Sequence, residues 1–188
     1  MKNLVLLASG SGSNVENIIS HFKNNPAINV SCVLTNKSNA GVLDRCNRLS
    51  IPAFYFNKHA FATGEVLNYL KSVNPDLIIL AGFLKKIPKA WINVFPNKII
   101  NIHPALLPKY GGKGMYGEYV HRAVKNSQDV ETGITIHHVN ENYDEGNIIF
   151  QARTKVSPED TVAQIAQKVH KLEYEHYPQV IENLLKDE

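Results

Sequence analysis

Short apolar runs alternate with amphipathic segments through the first half of the chain. Asn3–Ala8 is a continuous apolar run, which is typical of a strand buried on both faces. In Ser13–Lys23 the apolar residues recur at helical spacing. The predicted strands of this half are Asn3–Ala8, Asn29–Thr35, Ala53–Phe56, Asp76–Ala81 and Lys98–His103, and the predicted helices are Ser13–Lys23, Ala40–Leu49, Glu65–Val73 and a short one from Pro88 through Phe95. This alternation predicts a parallel sheet covered by helices, with right-handed crossovers.

The second half has a different pattern. Tyr116–Asn126 is helical in pattern, and Thr132–Val139 and Ile148–Val156 are two strands joined by the polar loop Asn140–Asn147. A long closing helix covers Thr161–Leu185, and we expect it to be kinked or broken near Pro178. The fold class is therefore α/β: a Rossmann-like, mostly parallel sheet with helices on both faces and a mixed-strand C-terminal extension. We expect a single domain, 1–188, made of the halves 1–100 and 101–188.

Composition and charge narrow the class of protein. Hydrophobic residues make up 44% of the 188 and charged residues 20%, the balance of a globular domain with its own core. The net charge of +3 comes from scattered lysines, so the sequence does not indicate a nucleic-acid partner. No run approaches the roughly 20 apolar residues of a membrane helix, and the apolar N-terminal run is too short for a signal peptide. We therefore expect a cytoplasmic protein with Cys32 and Cys46 buried and reduced.

A Gly/Ser loop follows the first predicted strand. Gly12 permits a tight turn and close backbone approach, Ser13 or Asn14 can cap the next helix, and free N–H groups at a helix start bind anions. A dinucleotide fingerprint would require glycine where Val15 stands, so a smaller phosphomonoester is favoured over NAD. The alternative is a turn that only connects strand to helix.

Three polar residues are candidates for chemistry. Asn101 and His103 are two positions apart in a predicted strand and so face the same side, and Pro104 fixes the exit of the chain. The Asn101 amide can donate to an oxygen that gains charge, and His103 can exchange protons near neutral pH. Asp144 lies in the loop Asn140–Asn147, where it could orient the imidazole or favour its protonated form. The alternatives are a structural histidine at a strand end and a turn aspartate beside glycine.

Four segments carry a resemblance to a known family. SGSGSN, AGFLKKI, NIHPALLP and GITIHHVNENYDEGNII, taken together, resemble the phosphoribosylglycinamide formyltransferases, a branch of the folate-dependent formyltransferases. The resemblance extends from about residue 3 to about residue 180. It implies that the half 1–100 binds phosphate and substrate, and that the half 101–188 is catalytic and binds folate.

The resemblance also implies roles for individual residues. The catalytic residues would be Asn101, His103 and Asp144. The substrate-binding residues would be Gly12, Ser13 and Asn14 for the phosphate, Pro104, and Glu173 for the ribose; the folate-binding residues would be Leu84, Lys85, Ile87, Asn140, Glu141 and Tyr143. Two features depart from the family pattern: Lys85 stands where many members have Arg, and the loop Tyr110–Tyr119 is longer than the usual form.

The activity implied is transfer of a formyl group from 10-formyltetrahydrofolate to the amine of glycinamide ribonucleotide, without a metal. The expected partners are small molecules, with no nucleic acid and no membrane, and the expected assembly is a monomer or homodimer. Three other functions remain open: formyltetrahydrofolate hydrolase, methionyl-tRNA formyltransferase, and a non-catalytic nucleotide-binding domain. The second normally carries an additional RNA-binding domain and a more basic surface.

Overall fold

The structure, a computed structural model, describes residues 1–186, and these fall into two compact units. The first unit is Met1–Lys85 together with Leu185 and Lys186, and the second is Lys86–Leu184. The prediction of one domain with halves 1–100 and 101–188 stays a prediction.

The first unit contains a parallel sheet. Its strands are β1 (Lys2–Ala8), β2 (Ile28–Thr35), β3 (Ala53–Tyr55) and β4 (Leu77–Leu80), and its helices are α1 (Ser13–Phe22), α2 (Val42–Arg48), α3 (Lys58–Thr63) and α4 (Glu65–Val73). The order is β3-β2-β1-β4, and every neighbouring pair is parallel. Residues Leu4–Ala8 of β1 are fully buried, which explains why this run is apolar without alternation. The four predicted strands and three predicted helices are confirmed within a few residues at their ends.

One helix of this unit was not predicted. α3 is only six residues long, and the side chain of Asn57 caps it by accepting a hydrogen bond from the N–H of Ala60. It ends at Gly64, which has φ +87°. A helix of six residues is too short to show helical periodicity in the sequence.

The second unit is built on antiparallel strands. It contains α5 (Lys89–Val94), β5 (Ile99–His103), α6 (Glu118–Ser127), β6 (Glu131–His138), β7 (Ile148–Lys155) and most of α7 (Val162–Lys186). β6 pairs with β5 on one side and β7 on the other, both antiparallel. The parallel strands of the first unit and the antiparallel strands of the second confirm the predicted α/β class with a mixed-strand extension.

The closing helix corrects one expectation. α7 is continuous through Pro178, so the expected break does not occur, and the alternative of a kink stays a prediction. Proline removes one backbone donor, but Tyr177 and Ile181 on either side are fully buried, and their packing holds the helix through that position. No helix among residues 1–186 combines the length and apolarity needed to cross a bilayer. Cys32 and Cys46 are buried free thiols, as expected, and burial raises the pKa of Cys46 to about 11.

Candidate active site

The pairing of β5 with β6 places four side chains on one face of the second unit. In this antiparallel register Asn101 lies opposite His137, and His103 lies opposite Thr135. Directly opposed residues share a face of the sheet. Asn101 and His103 therefore lie on the same face, as the sequence predicts. His137 lies between this pair and the loop that follows β6.

His137 fixes the orientation of the Asn101 amide. The carbonyl of His138 can only accept, so the His137 Nδ1–H donates to it at 2.8 Å. In the neutral ring Nε2 is then the acceptor, and the Asn101 Nδ2 donates to it at 3.2 Å. The second N–H of that amide is not used by this bond. The pair therefore presents a held amide donor at the carboxyl end of β5.

His103 is held from both of its nitrogens. Its Nε2–H donates to the carbonyl of Tyr110 at 2.8 Å, and its Nδ1 lies 3.5 Å from Oδ2 of Asp144. In the neutral ring, Nδ1 carries a lone pair that faces the carboxylate, and this contact becomes attractive only when Nδ1 is protonated. Asp144 also lies close to His137, with Oδ1 3.6 Å from its Nε2. The structure thus brings Asn101, His103 and Asp144 together, as predicted, and adds His137.

Burial sets the charge of this cluster. The side chain of His103 is 4% exposed and that of Asp144 is 11% exposed. Burial lowers the pKa of His103 below its ordinary value, although the charge of Asp144 opposes the shift. Burial acts to raise the pKa of Asp144, but His137, His103 and the Gly112 N–H outweigh it and hold that pKa below its ordinary value. At neutral pH the site therefore holds a carboxylate beside a mainly neutral imidazole.

A glycine pair after Tyr110 ties His103 to Asp144. Tyr110 (φ +57°) gives its carbonyl to His103, and the Gly112 N–H (φ +96°) donates to Oδ2 of Asp144 at 3.0 Å. A Cβ at Gly111 would lie 2.7 Å from the Leu107 side chain and 3.3 Å from Cβ of Asp144, so a larger residue there would have to displace the Leu107 side chain. From the sequence this loop was notable only for its length, although its repeated glycines were a signal of unusual backbone geometry.

The loop Asn140–Asn147 is folded so that Asp144 faces inward. Asp144 itself has φ +57°. At Gly146 a Cβ would lie 1.7 Å from the carbonyl oxygen of His138, so the returning chain lies directly against the end of β6. The His138 N–H donates to the carbonyl of Asn147, which closes the loop. Asp144 therefore both forms part of the turn and contacts the site residues.

His137 was missed by sequence reasoning as a site residue. Adjacent strand residues face opposite sides, so the pair His137–His138 makes a poor metal chelate, and its sequence position gives no other reason to single out His137. That alternation is what directs His137 toward Asn101, and its strand register was not available from the sequence. Across residues 1–186, no group of three or more His, Cys, Asp or Glu side chains is placed to hold a metal ion.

The Gly/Ser loop lies in the first unit. Gly12 is the N-cap of α1 with φ +78°, and a Cβ there would lie 2.5 Å from the Val42 side chain. Ser13 and Asn14 are inside the helix, and no side chain caps it, so the expectation that either of them caps is wrong. The N-cap position requires a positive φ and a close approach to Val42, so glycine occupies it. Glycine has no side chain that could cap the helix. The N–H groups of the first turn remain those that would meet an anion.

The remaining predicted residues have distinct surroundings. In the first unit, the Leu84 N–H donates to Ser9 Oγ at 3.0 Å, and Lys85 is exposed. In the second unit, Ile87 is buried, Pro104 is half-buried and Glu173 is 5% exposed. The Asn140 side chain accepts a hydrogen bond from the Asn142 N–H at 2.9 Å, and Glu141 forms an ion pair with Lys89 at 2.7 Å. The Lys86 ammonium lies 5.9 Å from the centre of the Tyr143 ring. Their binding roles stay predictions.

Comparisons with known proteins agree over nearly the whole chain. The family model described as "Formyl transferase" matches residues 2–181. A phosphoribosylglycinamide formyltransferase of Haemophilus influenzae is 38% identical over 96% of this chain and 86% of its own length, and one of Bacillus subtilis is 36% identical over 98% and 95%. The crystal structure of phosphoribosylglycinamide formyltransferase from Anaplasma phagocytophilum superposes with a TM-score of 0.90 at 30% identity, covering 99% of this chain and 87% of that one. With its fold, its Asn101–His103–Asp144 cluster and these relatives in agreement, the chain belongs to the formyl transferase family.

Proposed function

We propose that the protein transfers the formyl group of 10-formyltetrahydrofolate to the amine of glycinamide ribonucleotide. The products are formylglycinamide ribonucleotide and tetrahydrofolate, a step of de novo purine biosynthesis. The relatives from H. influenzae and B. subtilis carry the name of this activity and align with almost the full length of the chain.

The observation that carries the proposal is the convergence of Asn101, His103 and Asp144. They come from the end of β5 and from a loop about 40 positions later. His103 Nδ1 lies 3.5 Å from Asp144 Oδ2, and the Asn101 amide is held 3.2 Å from His137. Together they supply an amide donor, a proton carrier and a fixed negative charge, which are the groups that direct amine formylation requires.

Asn101 serves the formyl oxygen. As the amine attacks the formyl carbon, negative charge develops on that oxygen, and the unused N–H of Asn101 can donate to it. His137 prevents the amide from rotating away, so the donor is in place before charge appears. Loss of one such donor typically lowers turnover by about 100- to 1,000-fold.

His103 serves the proton. Because burial keeps its ring mainly neutral, Nδ1 is free to receive the proton that the attacking amine releases, directly or through a water molecule. The imidazolium formed is paired with Asp144 and can pass the proton to the departing folate nitrogen. No nucleophilic side chain is required, and much of the acceleration comes from holding the two reactants together.

The binding residues follow the family assignment. Gly12, Ser13 and Asn14 hold the phosphate of the acceptor, and Pro104 and Glu173 contact the acceptor elsewhere. Leu84, Lys85 and Ile87, with Asn140, Glu141 and Tyr143, bind the folate. We propose a cytoplasmic enzyme that works as a monomer or homodimer.

A mixing experiment tests the proposal. Purified protein is mixed with the formyl-folate and glycinamide ribonucleotide, and folate release is followed by ultraviolet absorbance. We expect release that requires the acceptor and is lost in His103→Ala. Equal release without the acceptor would identify a hydrolase, and no release in either case would identify a binding domain; both results contradict the proposal.

A further inference from the structure

A second polar cluster in the second unit surrounds Glu173, and its two histidines have no role in the mechanism above. It consists of His121 on α6 and of His170 and Glu173 on α7. The His170 Nδ1–H donates to Oε2 of Glu173 at 2.8 Å, one helical turn away. The rings of His121 and His170 approach edge-on with centroids 6.3 Å apart. The charges of Glu173 and His103 both act on His121, so the catalytic histidine lies within electrostatic range of the cluster.

His121 carries an unsatisfied polar atom. The residue is 3% exposed, and its Nδ1 is buried without a hydrogen-bond partner. A buried ring nitrogen without a partner is destabilising, because it has lost its water without gaining a hydrogen bond. A nitrogen in this state next to the His170–Glu173 pair is explained if a bound substrate supplies its partner.

The neighbours of His121 define the chemistry of that partner. Burial lowers the pKa of His121 and His170 lowers it further, while Glu173 opposes them, so the ring is neutral near pH 7. A neutral imidazole beside the buried carboxylate of Glu173 disfavours a phosphate, which the carboxylate would repel. Hydroxyl groups suit both, because each can donate to the carboxylate or to a ring nitrogen.

Resting on the proposed function, which supplies an acceptor with a sugar, we propose that His121 is a further acceptor-positioning residue whose unpaired Nδ1 bonds a sugar hydroxyl beside Glu173. His170 fixes the orientation of that carboxylate and is itself stacked on Tyr174, with ring centroids 6.3 Å apart. In this role His121 acts on the binding of the acceptor and not on the reacting atoms.

The test compares two variants with three acceptors. His121→Phe keeps the ring and removes both nitrogens, whereas His121→Asn places a polar atom near the position of Nδ1. The acceptors are glycinamide ribonucleotide and its 2-deoxy and 3-deoxy sugar analogues. His59→Phe, at an exposed histidine of α3, is the matched control.

We expect His121→Phe to raise the KM for the acceptor about tenfold, the effect of losing one hydrogen bond of about 1.4 kcal/mol. The kcat and the KM for the formyl donor should change less than about twofold, and His121→Asn should recover most of the acceptor KM. One deoxy analogue should raise the acceptor KM of the wild type by a similar factor and should not raise that of His121→Phe any further.

Three results would overturn the inference: an unchanged acceptor KM in His121→Phe, losses from variant and analogue that multiply for both analogues, or a joint decline of kcat and both KM values. Calorimetric titration of each variant with the acceptor alone gives the same comparison without turnover. If wild-type protein forms no product, the proposed function fails first, and that outcome is read from the wild type rather than from the variants.

Discussion

Replacing Asp144 by Asn removes the negative charge that pairs with the imidazolium of His103. The two groups are 3.5 Å apart and almost fully buried, so at an effective dielectric constant of about 20 their attraction is about 5 kcal/mol. The Gly112 N–H and the amide dipole of the new side chain offset part of this loss. We therefore expect about 3–4 kcal/mol less stabilisation when His103 is charged, and turnover lower on the order of 100- to 1,000-fold.

The assay is the acceptor-dependent release of folate under saturating substrates. Glu131→Gln is a matched control, because Glu131 is a half-exposed carboxylate of the same unit that pairs with Arg153 on the surface. The control should keep its kcat within about twofold. If folded Asp144→Asn turns over at nearly the wild-type rate, Asp144 does not stabilise a charged His103 and the reasoning is wrong.

Three further predictions test the surroundings. Ser13→Ala with Asn14→Ala should raise the KM for the acceptor and leave the donor KM unchanged in initial-rate kinetics; a defect on the donor side alone would contradict the phosphate role. Gly112→Ala should lose about 1–2 kcal/mol of stability from its φ of +96° and also lower kcat, whereas Gly114→Ala, with φ +90°, should show the strain alone in urea unfolding and initial rates. The folded pKa of His121 lies below its unfolded value near 6.5, so the unfolded chain takes up this proton first and the free energy of unfolding falls as pH drops below about 6.5. His121→Phe should make that fall shallower in urea titrations between pH 7 and pH 5, and an equal slope would contradict the assignment.

The elements that the sequence predicts well are those with one dominant local signal. The buried run of β1 and the apolar spacing of α1 and α4 leave no competing pattern, and their ends agree within a few residues. The short helix α3 and the unbroken course of α7 depend on caps and on tertiary packing around Pro178, which local patterns do not contain.

The candidate site likewise contains residues that the sequence predicts and residues that only the structure identifies. Asn101 and His103 share a strand, so their common face follows from the sequence, and the family resemblance favoured a site role for Asp144 over the turn alternative. His137 required the antiparallel register of β5 and β6, and the Gly112 N–H required a backbone with positive φ. The contacts of His137 and of the Gly112 N–H both join segments that are distant in the sequence. Periodicity relates only residues that are close in the sequence, so it does not predict them.

The most direct test follows the formyl carbon itself. The formyl-folate is prepared with carbon-13 in the formyl group, mixed with protein and glycinamide ribonucleotide, and the products are read by nuclear magnetic resonance. The account predicts that the label leaves the donor and appears as a formamide carbon on the acceptor, and that His103→Ala leaves it on the folate. Label recovered as free formate, or label that stays on the donor with wild-type protein, would contradict it.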